Sequence, residues 1–258
     1  MLRVLVLRFD APLMAFGGVA VDEYGVTREF PAASMLTGLL GNALGWDHRD
    51  GERLNALQNR LRFAVRCDRP GVVLRDFQTV ELGQPHLDAK RVGWTTRGTV
   101  DERKGGSAKK GTHIRYRDYL VDAVYTLALT LVPTAPNPTI EELAGALAEP
   151  ARPLFIGRKS CIPSAPLLLE SKPLTASGVL AALALVPQVA PWRAGSSPVK
   201  NLRAWWPDDE PVPAGVNLAQ SRLIPVYDRR DWVNQIHSGR RLIREGLITP
   251  PAPEAAHA

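Results

Sequence analysis

One group of side chains around residue 113 could perform acid–base chemistry on a phosphodiester. Metal-free cleavage of RNA needs a base for the 2′-hydroxyl, a cation for the phosphorane and an acid for the leaving group. His113, Lys109, Lys110 and Tyr116 are residue types that supply these roles. The same side chains could instead be phosphate contacts only, with Tyr116 at the start of a strand. We favour this simpler interpretation, because spacing alone does not establish a catalytic geometry.

A second group could hold a phosphate without reacting with it. Gly157 is followed by Arg158, Lys159 and Ser160, which offer two positive charges and a hydroxyl donor. Glycine allows the backbone to approach a ligand closely, so this sequence suits a phosphate. An ordinary turn with solvated cations has the same composition and is the alternative.

The net positive charge of the chain lies in a single segment. The sequence has 32 Lys and Arg residues against 26 Asp and Glu residues, a net charge of +6. Residues 86–117 contain nine of the basic residues and three of the acidic ones, so the remainder of the chain is balanced. Because this segment has five glycines and few large apolar side chains, we expect it to project as a loop or a long hairpin. A basic projection suits a phosphate backbone, and a solvated insertion is the alternative.

The sequence predicts neither a metal site nor a bound cofactor. The five histidines form no pair at the spacing of metal ligands, and no nucleotide-binding glycine motif occurs. Two cysteines are too few for a disulfide scaffold, and Cys67 falls on the apolar side of a predicted strand. No apolar run reaches the roughly 18 residues of a membrane span, and the N-terminus does not resemble a signal peptide. We therefore expect a soluble, cytoplasmic protein with no membrane partner.

The elements that must position these residues begin with a strand and a helix. The apolar run 2–9 predicts a central strand. From Ala33 onwards, apolar residues recur with a helical period, with Ser34 as the expected N-cap and Gly45 as the expected end. A second, short helix is expected at 52–58.

Strands dominate the middle of the chain. Alternating apolar and polar residues at 61–67 predict a half-buried strand, and we expect residues 72–80 to pair with it as a hairpin across residues 69–71. After the basic segment, residues 119–132 predict one long strand. Thr139 then opens a helix whose first turn carries two glutamates.

The predicted order is β-α-β-β-projection-β-α, which is close to a ferredoxin-like plan within the α+β class. RNA-binding RRM modules share this plan and use the open face of their sheet for nucleic acid. Beyond residue 187 the sequence is rich in Pro, Trp and charge, which predicts a less regular region. A strand is expected near 223–227, and residues 246–258 are expected to form a disordered tail.

Seven stretches of the chain, in order, resemble the CasD family of type I-E CRISPR Cascade complexes. Each stretch alone is a weak motif, but the ordered set is specific and falls within the first 170 or so residues. The matching stretches are residues 7–17, 30–34, 38–41, 63–68, 75–80, 119–123 and 157–161.

The resemblance implies a RAMP-type protein with a ferredoxin-like, RRM-like palm and a projecting basic β-hairpin thumb. The palm would comprise residues 1–81 and 118–228, and the thumb would be the insertion 82–117. In the family, the palm caps the 5′ handle of the crRNA, and the thumb kinks the RNA beside the backbone subunit CasC. The large subunit CasA docks nearby, and the assembled complex binds the target DNA. The implied function is therefore a non-catalytic, crRNA-binding role in antiviral defence.

Two other functions are kept as alternatives. Type I-C relatives of the family cleave pre-crRNA with Tyr, Lys and His, and there the Lys and His are adjacent. In this chain Lys110 and His113 are separated by two residues, which argues against an endoribonuclease built on these residues and Tyr116. A general RNA chaperone without a fixed assembly is the third possibility.

The candidate RNA-binding residues combine cations, hydroxyls, an amide and one aromatic ring. We expect Arg28 and Ser34 to lie near the N-terminus of the first helix, where the dipole favours anions. Trp94 is the preferred ring for base stacking, ahead of Phe16, Tyr24 and Phe30. The full set is Arg28, Ser34, Gln78, Thr79, Trp94, Lys104, Lys109, Lys110, Arg115, Arg158, Lys159 and Ser160.

Overall fold

The fold is assembled from thirteen strands and four α-helices within the described part of the chain. A computed structural model describes residues 1–18, 20–81, 112–190, 199–214 and 216–253. The helices are α1 (Ala33–Ala43), α2 (Gly51–Arg60), α3 (Ile140–Ala148) and α4 (Val179–Leu185). The strands are β1 (Leu2–Asp10), β2 (Leu13–Met14), β3 (Tyr24–Gly25), β4 (Leu61–Arg69), β5 (Val72–Glu81), β6 (Thr112–Val121), β7 (Val124–Leu131), β8 (Leu174–Ala176), β9 (Leu202–Pro207), β10 (Arg222–Val226), β11 (Arg230–Asp231), β12 (Ile236–His237) and β13 (Arg241–Ile248).

The main sheet is built around the N-terminal strand β1 and contains a β-α-β-β-α-β order in which β7, and not the predicted strand 72–80, follows β4. Strands β4, β7, β1 and β8 lie side by side in that sequence, and each neighbouring pair is antiparallel. Helices α1 and α2 connect β1 to β4, and α3 connects β7 to β8. The α+β class with antiparallel sheets is therefore confirmed.

The C-terminal region is more regular than its composition predicts. Strands β9, β13 and β10 extend the main sheet beyond β4, all in antiparallel pairs. The predicted tail at 246–258 is wrong at its start, because Gly246 and Ile248 pair with Ala204 and Leu202. Ile248 is 1% exposed, so burial of this side chain holds the strand in the sheet. Residues 254–258 lie outside the described residues.

Both faces of the main sheet are covered. Helices α1 and α3 pack on one face, where Leu40 and Leu143 join the cluster that contains Leu7. Helix α4 packs on the other face, where small residues such as Ala64 and Ala128 permit close contact. The open sheet face suggested by the RRM comparison is therefore absent from the described structure.

A buried ion pair fixes α4 and the chain after it. The side chains of Arg66 and Asp68 are both fully buried and lie 2.8 Å apart. Arg66 also donates to the backbone carbonyls of Val186, at 2.7 Å, and Pro187, at 2.9 Å. Thr126 donates to Asp68 at 2.6 Å. Strand β4, which the sequence predicts to be half-buried, is therefore buried on both sides. Its arginine tolerates full burial because it has this many hydrogen-bond partners.

Strand β5 does not form the predicted hairpin with β4. Both edges of β4 are occupied, by β7 and by β9, so β5 pairs with β6 along its whole length. Strand β6 also pairs with β2 and β3, which makes a second, smaller sheet. The predicted long strand 119–132 is two strands, β6 and β7, because Asp122 adopts a positive φ of 53° between them.

The expected thumb lies mostly outside the described residues. Residues 82–111 are not described, and residues 112–117 form the start of β6. The basic segment therefore connects the end of β5 to the start of β6, at the far end of a two-stranded antiparallel ribbon. Whether residues 82–117 project as a thumb stays a prediction.

The two best-capped helices use different devices. Thr139 caps α3 through a capping box with Glu142, as the sequence predicts. Helix α1 begins one residue before Ser34, so the prediction that Ser34 is its N-cap is wrong. Its first amides are instead bound by Asp228, whose carboxylate accepts from Ala33 at 3.0 Å and whose carbonyl accepts from Ser34 at 2.9 Å.

The carboxylate of Asp228 is buried and paired. Arg241 donates to both of its oxygens, at 2.8 Å and 2.7 Å. Burial alone would raise the pKa of Asp228, but the hydrogen bonds and charge of Arg241, with the amide of Ala33, hold this pKa below its usual value. A group with a lowered folded-state pKa stabilises the fold above its unfolded-state pKa, and this stability is lost as pH falls through the folded pKa.

Replacing Asp228 by Asn should therefore destabilise the protein in a pH-dependent way. At about pH 7 we expect a loss of about 3 kcal/mol, because Arg241 keeps its charge without a carboxylate partner. The difference from the wild type should shrink once pH falls below the ordinary aspartate pKa of about 3.9 and through the lowered pKa of the folded-state carboxyl, because the wild-type side chain then becomes neutral as well. Urea unfolding of both proteins, from neutral to acidic pH, measures this difference in the free energy of unfolding.

Asp209→Asn is the matched control for this experiment. Asp209 also pairs with an arginine, Arg62, but its side chain is 66% exposed, so we expect a loss below about 1 kcal/mol. A loss at Asp228 that is as small as at Asp209, or that is independent of pH, would contradict the assigned role.

Candidate nucleic-acid interface

Two adjoining clefts lie beside the ends of the sheets. The first, here called the α1 cleft, has a volume of about 470 Å³ and lies among loop 15–18, one side of α1, loop 155–159 and segment 227–237. The second, here called the ribbon cleft, has a volume of about 480 Å³ and lies between the β5–β6 ribbon and residues 158–160.

The clefts bring together residues that are distant in sequence. Arg28 and Ser34 line the α1 cleft, and Gln78 and Ser160 line the ribbon cleft. The neighbouring pair Arg158 and Lys159 lines both, so the two clefts form one continuous surface. Half of the residues predicted to bind RNA are therefore brought to one side of the molecule.

The other six predicted RNA-binding residues do not line either cleft or lie outside the described part of the chain. Arg115 is exposed on β6 and pairs across the ribbon with Gln78. Thr79 lies on β5 opposite Ile114, and the direction of its side chain is not described. Trp94, Lys104, Lys109 and Lys110 lie outside the described residues.

Gly157 fixes the shape of the α1 cleft. Its φ is +96°, and a Cβ atom at this position would lie 1.6 Å from the carbonyl oxygen of Ala15, so no other residue fits. The amide of Ala15 also donates to the carbonyl of Ile156 at 3.2 Å. The close approach expected of this glycine is therefore to the neighbouring loop 15–18, and it sets the spacing between the two loops.

Arg158 stabilises the loop that carries it and also contributes positive charge to the site. Its guanidinium donates to the carbonyls of Asp118, at 2.9 Å, and Gly25, at 2.7 Å, and lies 4.7 Å from the ring centre of Tyr119. These contacts tie the loop to β6 and β3. Because a guanidinium has five N–H groups, three are left for another partner.

Lys159 and Arg28 differ in how firmly they are held. Lys159 is exposed, and its ammonium makes no hydrogen bond or ion pair with any described residue. Arg28 is half-buried and donates to the carbonyl of Tyr227 at 2.8 Å. The cleft therefore combines a solvated cation with one that is positioned by the C-terminal segment.

The polar residues of the ribbon cleft are only partly engaged. Ser160 lies 3.4 Å from the hydroxyl of Tyr119, which is too long for a strong hydrogen bond. Gln78 donates to Asp76 at 2.6 Å, which leaves its carbonyl oxygen as an acceptor. A hydroxyl, an amide oxygen and the charge of Lys159 are thus available at this surface.

The N-terminus of α1 is not a vacant anion site. Asp228 already accepts hydrogen bonds from its first two amides, so a phosphate would have to be held by side chains such as those of Arg28 and Ser34, whose predicted contacts stay a prediction. Asp228 is the one carboxylate among the described residues that line the α1 cleft, and Arg241 pairs with it. The positive charges of Arg28, Lys159 and their neighbours are therefore not cancelled within the cleft.

Of the alternative catalytic group, Tyr116 is the one member whose side chain belongs to the described structure. Tyr116 lies in the middle of β6, stacked on Tyr24 at 5.0 Å and beside Phe77 at 5.5 Å. Lys110 lies outside the described residues, and the side chain of His113 is not described. Cys67 is a core residue as expected, and burial raises its pKa to about 11.

Sequence reasoning missed the contribution of the C-terminal segment to the α1 cleft. Tyr227, Arg230, Trp232 and His237 all line it. The run Tyr-Asp-Arg-Arg-Asp-Trp at 227–232 is rich in cations and rings, and this composition was the available signal. Of the rings that were considered for stacking, Phe16 and Phe30 are 0% and 8% exposed and belong to the core.

The described residues contain no group of three or more His, Cys, Asp or Glu side chains that could hold a metal ion. None of their helices has the length and apolar character needed to cross a membrane.

Comparison with known proteins identifies the family. Residues 4–244 match the model of a family described as CRISPR-associated protein (Cas_Cas5). The Escherichia coli (strain K12) protein "CRISPR system Cascade subunit CasD" is 35% identical over 165 residues, which cover 64% of this chain and 69% of that protein.

Solved structures agree with this match along almost the whole chain. A chain of a "CRISPR RNA-guided surveillance complex" is similar with a TM-score of 0.69 and 25% identity, covering 98% of this chain and 95% of that one. A "Crystal structure of Cas protein" is similar with a TM-score of 0.61 and 25% identity, covering 97% and 98%. The resemblance found in the sequence is confirmed, and the chain belongs to the Cas5 family of CRISPR-associated proteins.

Proposed function

We propose that this chain is a non-catalytic subunit of a type I-E Cascade complex that binds and caps the 5′ handle of the crRNA in antiviral defence. The observation that carries this proposal is the convergence of Arg28, Ser34, Arg158 and Lys159 on one cleft. The similarity to CasD supports the type I-E assignment. The proposed place of action is the cytoplasm.

The proposed RNA path runs from the α1 cleft across Lys159 to the ribbon. Gln78 pairs with Arg115, and Asp76 pairs with Arg117, so both arginines share the face that lines the ribbon cleft. This face leads to the ends of β5 and β6, where the basic segment is attached. Phosphates that leave the clefts would therefore meet cations in succession.

The basic segment would act as the thumb of a RAMP-type protein. In this proposal residues 1–81 and 118–228 form the ferredoxin-like palm, and residues 82–117 fold over the RNA and kink it beside CasC. Lys104, Lys109 and Lys110 would follow the backbone, and Trp94 would contact a displaced base or a neighbouring subunit. CasA would dock nearby, and target DNA would be reached through the assembled complex.

The proposed site differs from that of an RRM module. Helix α4 and the buried Arg66–Asp68 pair occupy the sheet face that an RRM leaves for RNA. The cations lie instead on loops and on the ribbon. This arrangement favours gripping a strand by its phosphates over spreading it on a sheet.

Removing the charge of Lys159 should weaken RNA binding mainly through its electrostatic component. For Lys159→Ala we expect the slope of log K against log salt to flatten by about 0.7, the value for one phosphate contact to a single strand. Titrations of a fluorescent 5′-handle RNA between about 50 and 200 mM salt measure this slope.

Lys172→Ala is the matched control, because Lys172 is also exposed and lines neither cleft. Its slope should equal that of the wild type. Neutralising Lys104, Lys109 and Lys110 together should flatten the slope by about 0.7 for each phosphate that these lysines neutralise in the wild type. An unchanged slope in Lys159→Ala would remove this residue from the RNA site.

Endoribonuclease activity is the alternative, and it predicts a different result. If the chain only binds RNA, repeat-containing RNA incubated with the purified protein in EDTA should remain intact. Gel electrophoresis of end-labelled RNA measures this directly. Cleavage at one position, abolished by His113→Ala and retained by Lys172→Ala, would establish the nuclease in place of the proposed function.

A further inference from the structure

We propose that Tyr227 is a stacking platform for one unpaired nucleobase at the α1 cleft, next to a phosphate held by Arg28. The proposal rests on the RNA-binding function proposed above and adds a base-contacting subsite to it. Tyr227 belongs to the C-terminal segment, for which the sequence predicted no role.

The ring of Tyr227 is exposed although its backbone is firmly held. The residue is 56% exposed and lines the α1 cleft. Its carbonyl accepts from Arg28 at 2.8 Å, and the next residue, Asp228, binds the first amides of α1. Val226, on its other side, is 4% exposed and ends β10. An aromatic ring on such a fixed backbone loses little entropy when it stacks on a ligand.

The surroundings of Tyr227 favour a nucleotide as the ligand. Arg28, Lys159 and Arg230 line the same cleft, so a phosphate next to a stacked base would meet positive charge. Gly38 forms part of the lining without a side chain, and the cleft volume of about 470 Å³ is in the range of small-ligand sites. Unpaired bases of RNA are commonly recognised by stacking on Tyr, Phe, Trp or His.

Trp232 is another large ring that lines the cleft, but it already has partners. The guanidinium of Arg230 lies 5.3 Å from its ring centre, and its Nε1 donates to Gln58 at 3.3 Å. Tyr227 has no ring contact or cation–π partner among the described residues. Of these two rings, Tyr227 is therefore the one that can accept a base.

Phe77 provides a matched comparison, because it is also 56% exposed. It lies opposite Tyr116 on the ribbon face that points away from Gln78 and Arg117. The nearby Arg75 is paired with Asp118 through two hydrogen bonds, at 2.8 Å and 3.1 Å. Among the described residues, this face has an equally exposed ring and no such cluster of cations, so it should not bind a nucleotide.

The test combines protein variants with abasic RNA. The full chain is titrated with the 5′-handle RNA and with a series of the same RNA in which one nucleotide at a time lacks its base. For the wild type we expect one abasic position to weaken binding by roughly 5- to 150-fold, the effect of one base–aromatic stack. Tyr227→Ala should weaken binding of the intact RNA by a similar factor, and that abasic position should then have no further effect.

Three additional measurements separate stacking from a merely structural role. Tyr227→Phe should bind the intact RNA as the wild type does, because the ring is retained. Tyr227→Ala and Tyr227→Leu should keep the wild-type salt slope, since no phosphate contact is removed. Phe77→Ala should show the wild-type response to every abasic RNA.

The proposal is overturned if Tyr227→Ala binds the intact RNA as tightly as the wild type does. It is also overturned if every abasic position weakens binding to Tyr227→Ala by the same factor as it weakens binding to the wild type. A loss of affinity in Tyr227→Phe as large as in Tyr227→Ala would also overturn it. Wild-type protein that shows no salt-dependent RNA binding at all would instead refute the proposed function on which this subsite rests.

Discussion

The carboxylate of Asp228 joins the parts of the chain on which the α1 cleft depends. It binds the first amide of α1 and pairs with Arg241 of β13, while the carbonyl of the preceding residue holds Arg28. A buried carboxylate is tolerated only when its lost hydration is replaced by such partners. Asp228 therefore closes the helix end and attaches the C-terminal strands, and its neighbour Tyr227 orients a cation of the site.

Coverage of both faces of the main sheet explains why the cations lie on loops and on the ribbon. Helix α4 packs closely on the face that carries Ala64 and Ala128, and Arg66 fixes the segment that follows this helix. With both faces filled, exposed surface remains at the loops beyond the strand ends and on the β5–β6 ribbon. Gly157 then brings two of these loops into contact, which sets the width of the cleft.

The sequence predicts those features that depend on local patterns. The helices from Ala33 and Thr139, the strand at the N-terminus and the Arg158–Lys159 pair were found because period, capping residues and charge are visible in short windows. Ordered family motifs added the identity of the family. The pairing of β5 with β6, the capping of α1 by Asp228 and the position of Tyr227 depend on contacts between distant residues. A single sequence carries no local signal for these contacts.

The most direct test of the central claim is to map the RNA on the assembled complex. We would replace uridines of the crRNA 5′ handle by a photoreactive analogue, crosslink the complex that contains this chain, and identify the attached peptides by mass spectrometry. The account predicts crosslinks from the handle to residues 155–161 and 227–232. Handle crosslinks confined to the α4 side of the main sheet, with none in these two segments, would contradict it.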